Sequence, residues 1–186
     1  MKTLIRIACA LGSLGGVLCA GDRPDVLVLL ADQWNPRYLG WDNTQVRTPH
    51  LDLLAAEGTR FSTAITPNPV CQPARASLLT GLLPNTHGVR DNGIDLPPET
   101  AARGFGKRLS QAGYRTGFIG KWGVGDTLPR SEYDYFEGFP GQGSYFAEGR
   151  GHLTDHQGLQ ALKFLEGCSR EKPFCLQVSF KAPHVQ

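Results

Sequence analysis

The sequence predicts an α/β layered fold, a mostly parallel sheet sandwiched by helices, on three observations. Val26–Leu30 is a short continuous apolar run of the kind found in a strand buried on both faces. Beyond it, apolar runs alternate with helix-patterned segments, the order that builds β-α-β units. Finally, 40% hydrophobic residues against 19% charged, over 186 positions, can bury a core and exclude intrinsic disorder.

Each element can be justified in turn. Met1–Ala20 carries basic Lys2 and Arg6, an apolar Gly/Ala-rich stretch, then polar Gly21–Asp22–Arg23. That is the pattern of a secretory signal cut after Ala20, implying export and one catalytic-domain portion over 21–186. The stretch is too short and glycine-rich to favour a spanning helix, so no membrane span is expected once it is removed. Cys19 raises a lipoprotein alternative, but Gly16–Val17–Leu18 fits a lipid-attachment box poorly. Thr48–Pro49 starts a helix as N-cap and first-turn proline, with Leu51, Leu54 and Ala55 as its apolar stripe and Gly58 as its end. Arg60–Thr66 alternates partially and reads as a strand. Arg75–Leu83 reads as a short helix after a proline-rich loop, Thr100–Ala112 as a helix closed by Gly113, and Tyr114–Ile119 as a strand. Gly120–Gly151 is glycine-dense and aromatic, an irregular excursion. Thr154–Glu166 is a further helix, carrying Leu159, Leu162, Phe164 and Leu165, and Phe174–Phe180 a last strand.

Ligands of open α/β sheets bind beyond the carboxyl ends of the strands. Val26–Leu30 runs into Ala31–Asp32–Gln33, Tyr114–Ile119 into Gly120–Lys121–Trp122, and Phe174–Phe180 into Lys181–Ala182–Pro183–His184. An acid with an amide, a lysine and a histidine therefore fall where such folds assemble sites. Each alone is weak, because Asp at a strand end is often a turn former and a lone His or Lys is usually a surface residue. Their coincidence carries more weight. Cys71 precedes a predicted helix. Either helix-terminal N–H groups and Arg75 activate it and draw anions there, or it is a small buried residue beside a proline turn. Once Cys9 and Cys19 leave with the signal, three cysteines remain, so at least one does not pair. A net charge of +2 without a Lys/Arg block offers no footprint for nucleic acid.

These residues converge on a family. Cys71–Gln72–Pro73–Ala74–Arg75, followed by Leu79–Thr80–Gly81, resembles the Cys-x-Pro-x-Arg signature of the type I sulfatases of the alkaline-phosphatase-like superfamily. Ala31–Asp32–Gln33 resembles its first-strand metal motif, and Thr48–Asp52 with Glu57–Phe61 its first helix and second strand. Gly113–Gly117 leading to Lys121–Trp122 resembles the approach to its sulfate-binding lysine, and Ala182–Pro183–His184 its later histidine motif. The resemblance spans Pro24 to Gln186, with the motifs in family order.

The resemblance implies a sulfuric ester hydrolase. Cys71 would be oxidised to formylglycine by a maturation enzyme, and its hydrate would attack sulfur and also ligate the metal. Arg75 would hold the hydrate, Lys121 bind sulfate oxygens, and His184 protonate the leaving oxygen. Asp32 and Gln33 would be oxygen ligands to Ca2+ in preference to Mg2+. Sulfated small molecules or glycans are the implied substrates. Two departures stand out. Lys121–Trp122 is followed by Gly123 where the family has histidine, with His152 and His156 as conceivable substitutes. The sequence also ends before the family's downstream Asp–Asn metal pair and second lysine, which predicts an N-terminal portion incomplete at the C-terminus. A phosphonate or phosphate monoester hydrolase and a catalytically inactive secreted module are the alternatives.

Overall fold

The computed structural model describes residues 23–185, so the signal expected over 1–20, with Cys9 and Cys19, lies outside the described residues. The strands are β1 (Val26–Asp32), β2 (Arg115–Lys121), β3 (Tyr135–Phe139), β4 (Phe146–Ala147), β5 (Gly151–His152) and β6 (Phe174–Pro183). β1, β2, β3 and β6 form one sheet in the order β1-β6-β2-β3, parallel throughout, while β4 and β5 make a small antiparallel pair. Because all four large strands run the same way, their carboxyl ends share one edge. That is the property on which the site depends.

Helices cover both faces of β2 and β6, but β1, expected to be buried on both faces, leaves Leu27 and Leu29 about half exposed. Alternate side chains of β2 point to opposite layers. On one side Phe118 and Trp122 pack with Ala76 and Leu79 of α2 (Cys71–Thr80). On the other, Ile119 meets Leu176, Val178 and Phe164 of α6 (Leu153–Glu166). Phe118 is 1% exposed, set edge-on to Trp122 at 5.1 Å and stacked on Phe136 at 5.5 Å. Its burial contributes about 2–3 kcal/mol relative to exposure. No helix among the described residues is long and apolar enough to cross a membrane.

The elements differ from the sequence expectations at places with identifiable causes. The helix holding the signature starts at Cys71, four residues earlier than expected, because Pro73 lies within the first turn, where a missing N–H costs nothing. The helix expected over 100–112 is two, α4 (Pro98–Ala101) and α5 (Phe105–Gln111), broken around Gly104. A side chain at Gly104 would press on Leu79 of α2 and on the Ala101 carbonyl, so the backbone there comes close to α2. Residues 60–66 form no strand: the sheet ends at β1, and Phe61 and Ile65 lie exposed with no neighbour to complete a ladder. The stripe expected on α1 (Pro49–Glu57) does not enter the core: Leu51 and Ala55 are only partly buried and Leu54 is exposed. In α6, Phe164 is buried as expected, but Leu159 and Leu162 are exposed; Leu153 and Gln157 face the sheet instead. Finally, the excursion over 120–151 is not wholly irregular. It contributes β3, whose parallel pairing with β2 is reached by a crossover over 122–134 with a 3-10 turn at Arg130–Glu132.

Two polar details fix the layers. Gly120, at φ +97°, lies against the Ser179 carbonyl of β6, and Gln157 of α6 donates to that same oxygen at 3.1 Å. Between α2 and α3 (Pro84–His87), His87 is 1% exposed; its Nδ1 accepts from the Val89 N–H at 3.1 Å. The ring is therefore neutral, with its proton on Nε2 facing the Ser77 hydroxyl at 3.0 Å. Burial holds the His87 pKa below its ordinary value of 6.5, against a smaller opposing effect of a backbone hydrogen bond.

Two tests follow from these contacts. Gly120→Ala would add a Cβ against the Ser179 carbonyl and the Gln157 amide in a left-handed backbone, costing roughly 3 kcal/mol or more. Urea unfolding reads this directly, and a loss under about 1 kcal/mol would mean the β2–β6 junction is looser than described. His87, with its folded pKa depressed, contributes stability that is fully present above about pH 6.5 and is lost as pH falls through the folded pKa. The thermal midpoint should therefore drop on acidification from neutral pH, and less steeply in His87→Asn; equal slopes would assign the acid sensitivity elsewhere.

Candidate active site

The shared edge of the sheet gathers the polar residues. β1 delivers Asp32, β2 delivers Lys121, and the turn after β6 carries His184, while the amino end of α2 lies across them with Cys71 as its first residue. Gln33 holds φ +57°, a conformation that costs a non-glycine residue about 1–3 kcal/mol and that gathers at functional sites. It turns the chain sharply after Asp32 and lines, with Asp32, Cys71, Arg75 and His184, a cleft of about 580 Å3. A second cleft of about 290 Å3 shares Cys71 and is bordered by Lys121, Gln72 and Gln142.

At the floor is an ionic cluster. The Lys121 Nζ, 2% exposed as a residue, donates to Asp32 Oδ2 at 2.6 Å. Arg75 lies one helical turn beyond Cys71, and its Nη2 is 3.4 Å from the same carboxylate oxygen. Its Nη1 donates to the Lys121 carbonyl at 3.0 Å and to the Ser179 hydroxyl. Burial pulls the Arg75 pKa below the usual guanidinium value, while Asp32 and Cys71 oppose that shift. Two cations thus face one carboxylate. The surplus of one positive charge suits an anionic ligand.

Cys71 is half-buried, with Sγ 3.7 Å from the Lys121 ammonium. A carboxylate oxygen of Asp32, the Cys71 sulfur and a His184 ring nitrogen all lie within 4.8 Å of one another, close enough to hold a metal ion together. The Nδ1 of His184 lies 2.8 Å from the Val185 carbonyl, which can only accept, so Nδ1 carries a proton and Nε2 is the ring's second functional atom. Tyr145 donates to the His184 carbonyl at 2.6 Å; burial, then the charge of Asp32, raises its pKa and keeps the phenol protonated. Lys181, 1% exposed, lies 4.9 Å from the centre of the Tyr145 ring and donates to the Val185 carbonyl at 3.2 Å, bracing the same turn.

All six residues singled out in the sequence, Asp32, Gln33, Cys71, Arg75, Lys121 and His184, therefore meet around adjoining clefts. Gln142, Tyr145 and Asn92 join the site with no motif to mark them. The first two come from the excursion over 120–151, where glycine density hides any pattern, and Asn92 from a loop beside Cys71. Gly123 has φ +61°, and a Cβ there would lie 2.8 Å from the Arg75 side chain, so the backbone leaves no room for a histidine in this arrangement. His152 is engaged elsewhere, accepting from the Thr154 N–H at 3.2 Å and stacking on Tyr145. Cys71, Cys168 and Cys175 are all free thiols, and burial pushes the Cys175 pKa up to about 11, far from a reactive thiol.

Comparison with known proteins matches a family model described as sulfatase to residues 24–186. The N-acetylglucosamine-6-O-sulfatase of Bacteroides thetaiotaomicron is 30% identical over 174 residues, covering 87% of this chain and 31% of that protein. The human N-sulphoglucosamine sulphohydrolase is 36% identical over 188 residues, covering 99% of this chain and 36% of its own. A solved structure in complex with its substrate D-glucosamine-2-N,6-O-disulfate superposes with a TM-score of 0.77 at 30% identity, over 87% of this chain and 35% of that one. The chain thus spans about a third of the length of these relatives.

The ionic cluster makes a direct stability test. Asp32→Ala would leave Lys121 and Arg75 buried without their shared carboxylate, a change expected to cost about 3–5 kcal/mol. Denaturant titration should show that loss and a smaller one for Asp32→Asn, which keeps an oxygen acceptor. Stability within about 0.5 kcal/mol of the parent would mean water replaces the carboxylate freely.

Proposed function

The chain belongs to the sulfatase family, and from that premise we propose that it carries the nucleophile end of a sulfuric ester hydrolase, with Cys71 as the residue converted to formylglycine. The observation that carries the reading is the position of Cys71. It lies at the mouth of a cleft, 3.7 Å from a buried ammonium, with Asp32 and His184 ligand atoms within 4.8 Å. Formylglycine at this position, once hydrated, supplies a hydroxyl nucleophile for sulfur and offers oxygen to a metal.

The chain's own residues then have separable tasks. Lys121 binds the sulfate group and offsets charge as the ester bond breaks, while Arg75 holds the hydrate at position 71 and adds to the positive surplus. Asp32 keeps both cations oriented. His184, with Nδ1 committed to the Val185 carbonyl, has Nε2 as the atom that would protonate the leaving alcohol oxygen. Asp32, Gln33 and position 71 would hold a divalent cation. Ca2+ is proposed over Mg2+ because carboxylate, amide and hydrate oxygens drawn from a strand end, a turn and a helix start suit a hard ion with flexible geometry. These give fewer oxygens than the six to eight that Ca2+ takes, so further ligands are required.

The proposed substrate is a sulfated glycan or small sulfate ester, in line with the glucosamine sulfates named for the relatives. Sulfate is preferred to phosphonate or phosphate because the relatives described are a sulfatase and a sulphohydrolase. Export remains a proposal resting on the Lys2 to Ala20 pattern.

Mass spectrometry of the tryptic peptide Phe61–Arg75, after co-expression with a formylglycine-generating enzyme, should find the Cys71 sulfur replaced by an aldehyde oxygen. A persistent thiol would instead favour an inactive module. In assays of sulfate ester turnover by the full-length form, Cys71→Ala and Lys121→Ala should each abolish activity, while phosphate esters stay at background. Retained turnover in either variant, or a preference for phosphate, sinks the assignment.

A further inference from the structure

The Lys121 ammonium has three N–H donors, and three acceptors meet them: Asp32 Oδ2 at 2.6 Å, Gln142 Oε1 at 2.7 Å and Cys71 Sγ at 3.7 Å. Two of these belong to the chemistry already described. The third comes from the glycine-dense excursion, and nothing in the proposed reaction uses it. We propose that Gln142 is a positioning residue that aims the Lys121 ammonium at position 71 and at the anion bound there. This rests on the reading of Lys121 as an oxyanion-binding residue.

Local structure explains how an exposed loop residue reaches a lysine that is 2% exposed. Lys121 and Phe139 are register partners at the ends of β2 and β3, and Trp122 donates its N–H to the Phe139 carbonyl at 3.0 Å. Gln142 follows only three residues later, so the chain must fold back over its own strand end. Gly141 and Gly143, at φ +63° and +66°, provide that reversal, and a Cβ on Gly143 would lie 2.6 Å from the Phe139 ring. Glycine on both sides is what brings the amide down onto the ammonium.

The type of side chain matters as much as its reach. Lys121 and Arg75 against Asp32 leave one positive charge at the cluster. A neutral amide satisfies the third donor without removing that surplus. A carboxylate at 142 would satisfy it equally well and cancel the charge that an oxyanion needs. Without an acceptor at 142, only Asp32 and the long sulfur contact hold the ammonium, and the lysine stem regains rotamers that point it away from position 71.

The test separates hold from charge, using 15N-lysine-labelled protein and inorganic sulfate as the probe. In Gln142→Met, of similar length without an acceptor, the Lys121 ammonium protons should exchange about tenfold faster and sulfate should bind several-fold more weakly. In Gln142→Glu exchange should stay slow, while sulfate affinity falls about tenfold. Equal thermal midpoints would show that the fold is intact. Parental exchange in the Met variant, or parental sulfate affinity in the Glu variant, overturns the proposal. If the parent chain binds no sulfate, the oxyanion reading of Lys121 fails and the aiming role falls with it, whereas ammonium exchange still reports whether Gln142 holds the lysine.

Discussion

The Asp32 carboxylate is shared between two buried cations, and the geometry around Cys71 depends on that sharing. Asp32 ends β1, Lys121 ends β2, and Arg75 projects from α2, so three elements distant in sequence are tied at one oxygen. Charges this far from water are tolerable only when paired and hydrogen-bonded. Each cation also has a further acceptor, the Ser179 hydroxyl and Lys121 carbonyl for Arg75 and the Gln142 amide for Lys121. Such a cluster does more than stabilise: it fixes directions. Donors pre-aimed at a reacting group need no reorganisation when charge develops there, and that is the usual source of electrostatic catalysis.

Close backbone approach is the second constraint. Gly120 lets β2 lie against the Ser179 carbonyl, and Gly123 lets the following turn touch Arg75. Both keep the ends of β2 and β6 compact, so the ammonium and the guanidinium reach the same carboxylate. Glycine at 123 and the position of Arg75 are therefore one structural fact. The site manages without a side chain there by drawing neighbours from elsewhere, Gln142 at the ammonium and Tyr145 at the His184 turn.

Much of this was legible in the sequence because the information is local. An apolar run followed by Ala31–Asp32–Gln33 is a strand and its end, whatever packs around it. Cys71 and Arg75 are four apart, so once α2 forms they share a face. Motif resemblance then supplied the family, which spacing could not. Other features were hidden because their stabilising partners are remote. β3 is five residues broken by a glycine, and only pairing with β2 makes it a strand. The alternation over 60–66 looked like a strand, yet among the described residues it has no partner strand to complete its hydrogen bonds. Leu159 and Leu162 sit at helical spacing but on the wrong side of α6, because Phe164 and Gln157 determine which face meets the sheet.

By itself, the sequence determined the fold class, the family, and six polar side chains that come together at one edge of the sheet, since each follows from residue type, short spacing or motif order. Only the tertiary structure decided how those side chains are wired: which oxygen the two cations share, which nitrogen of His184 is committed, and that Gln142 and Tyr145 belong to the site at all. The physical reason is range. Backbone propensity acts over a few residues, whereas a hydrogen bond between positions 32 and 121, or 121 and 142, exists only after a parallel sheet has brought strand ends from separate parts of the chain to one edge.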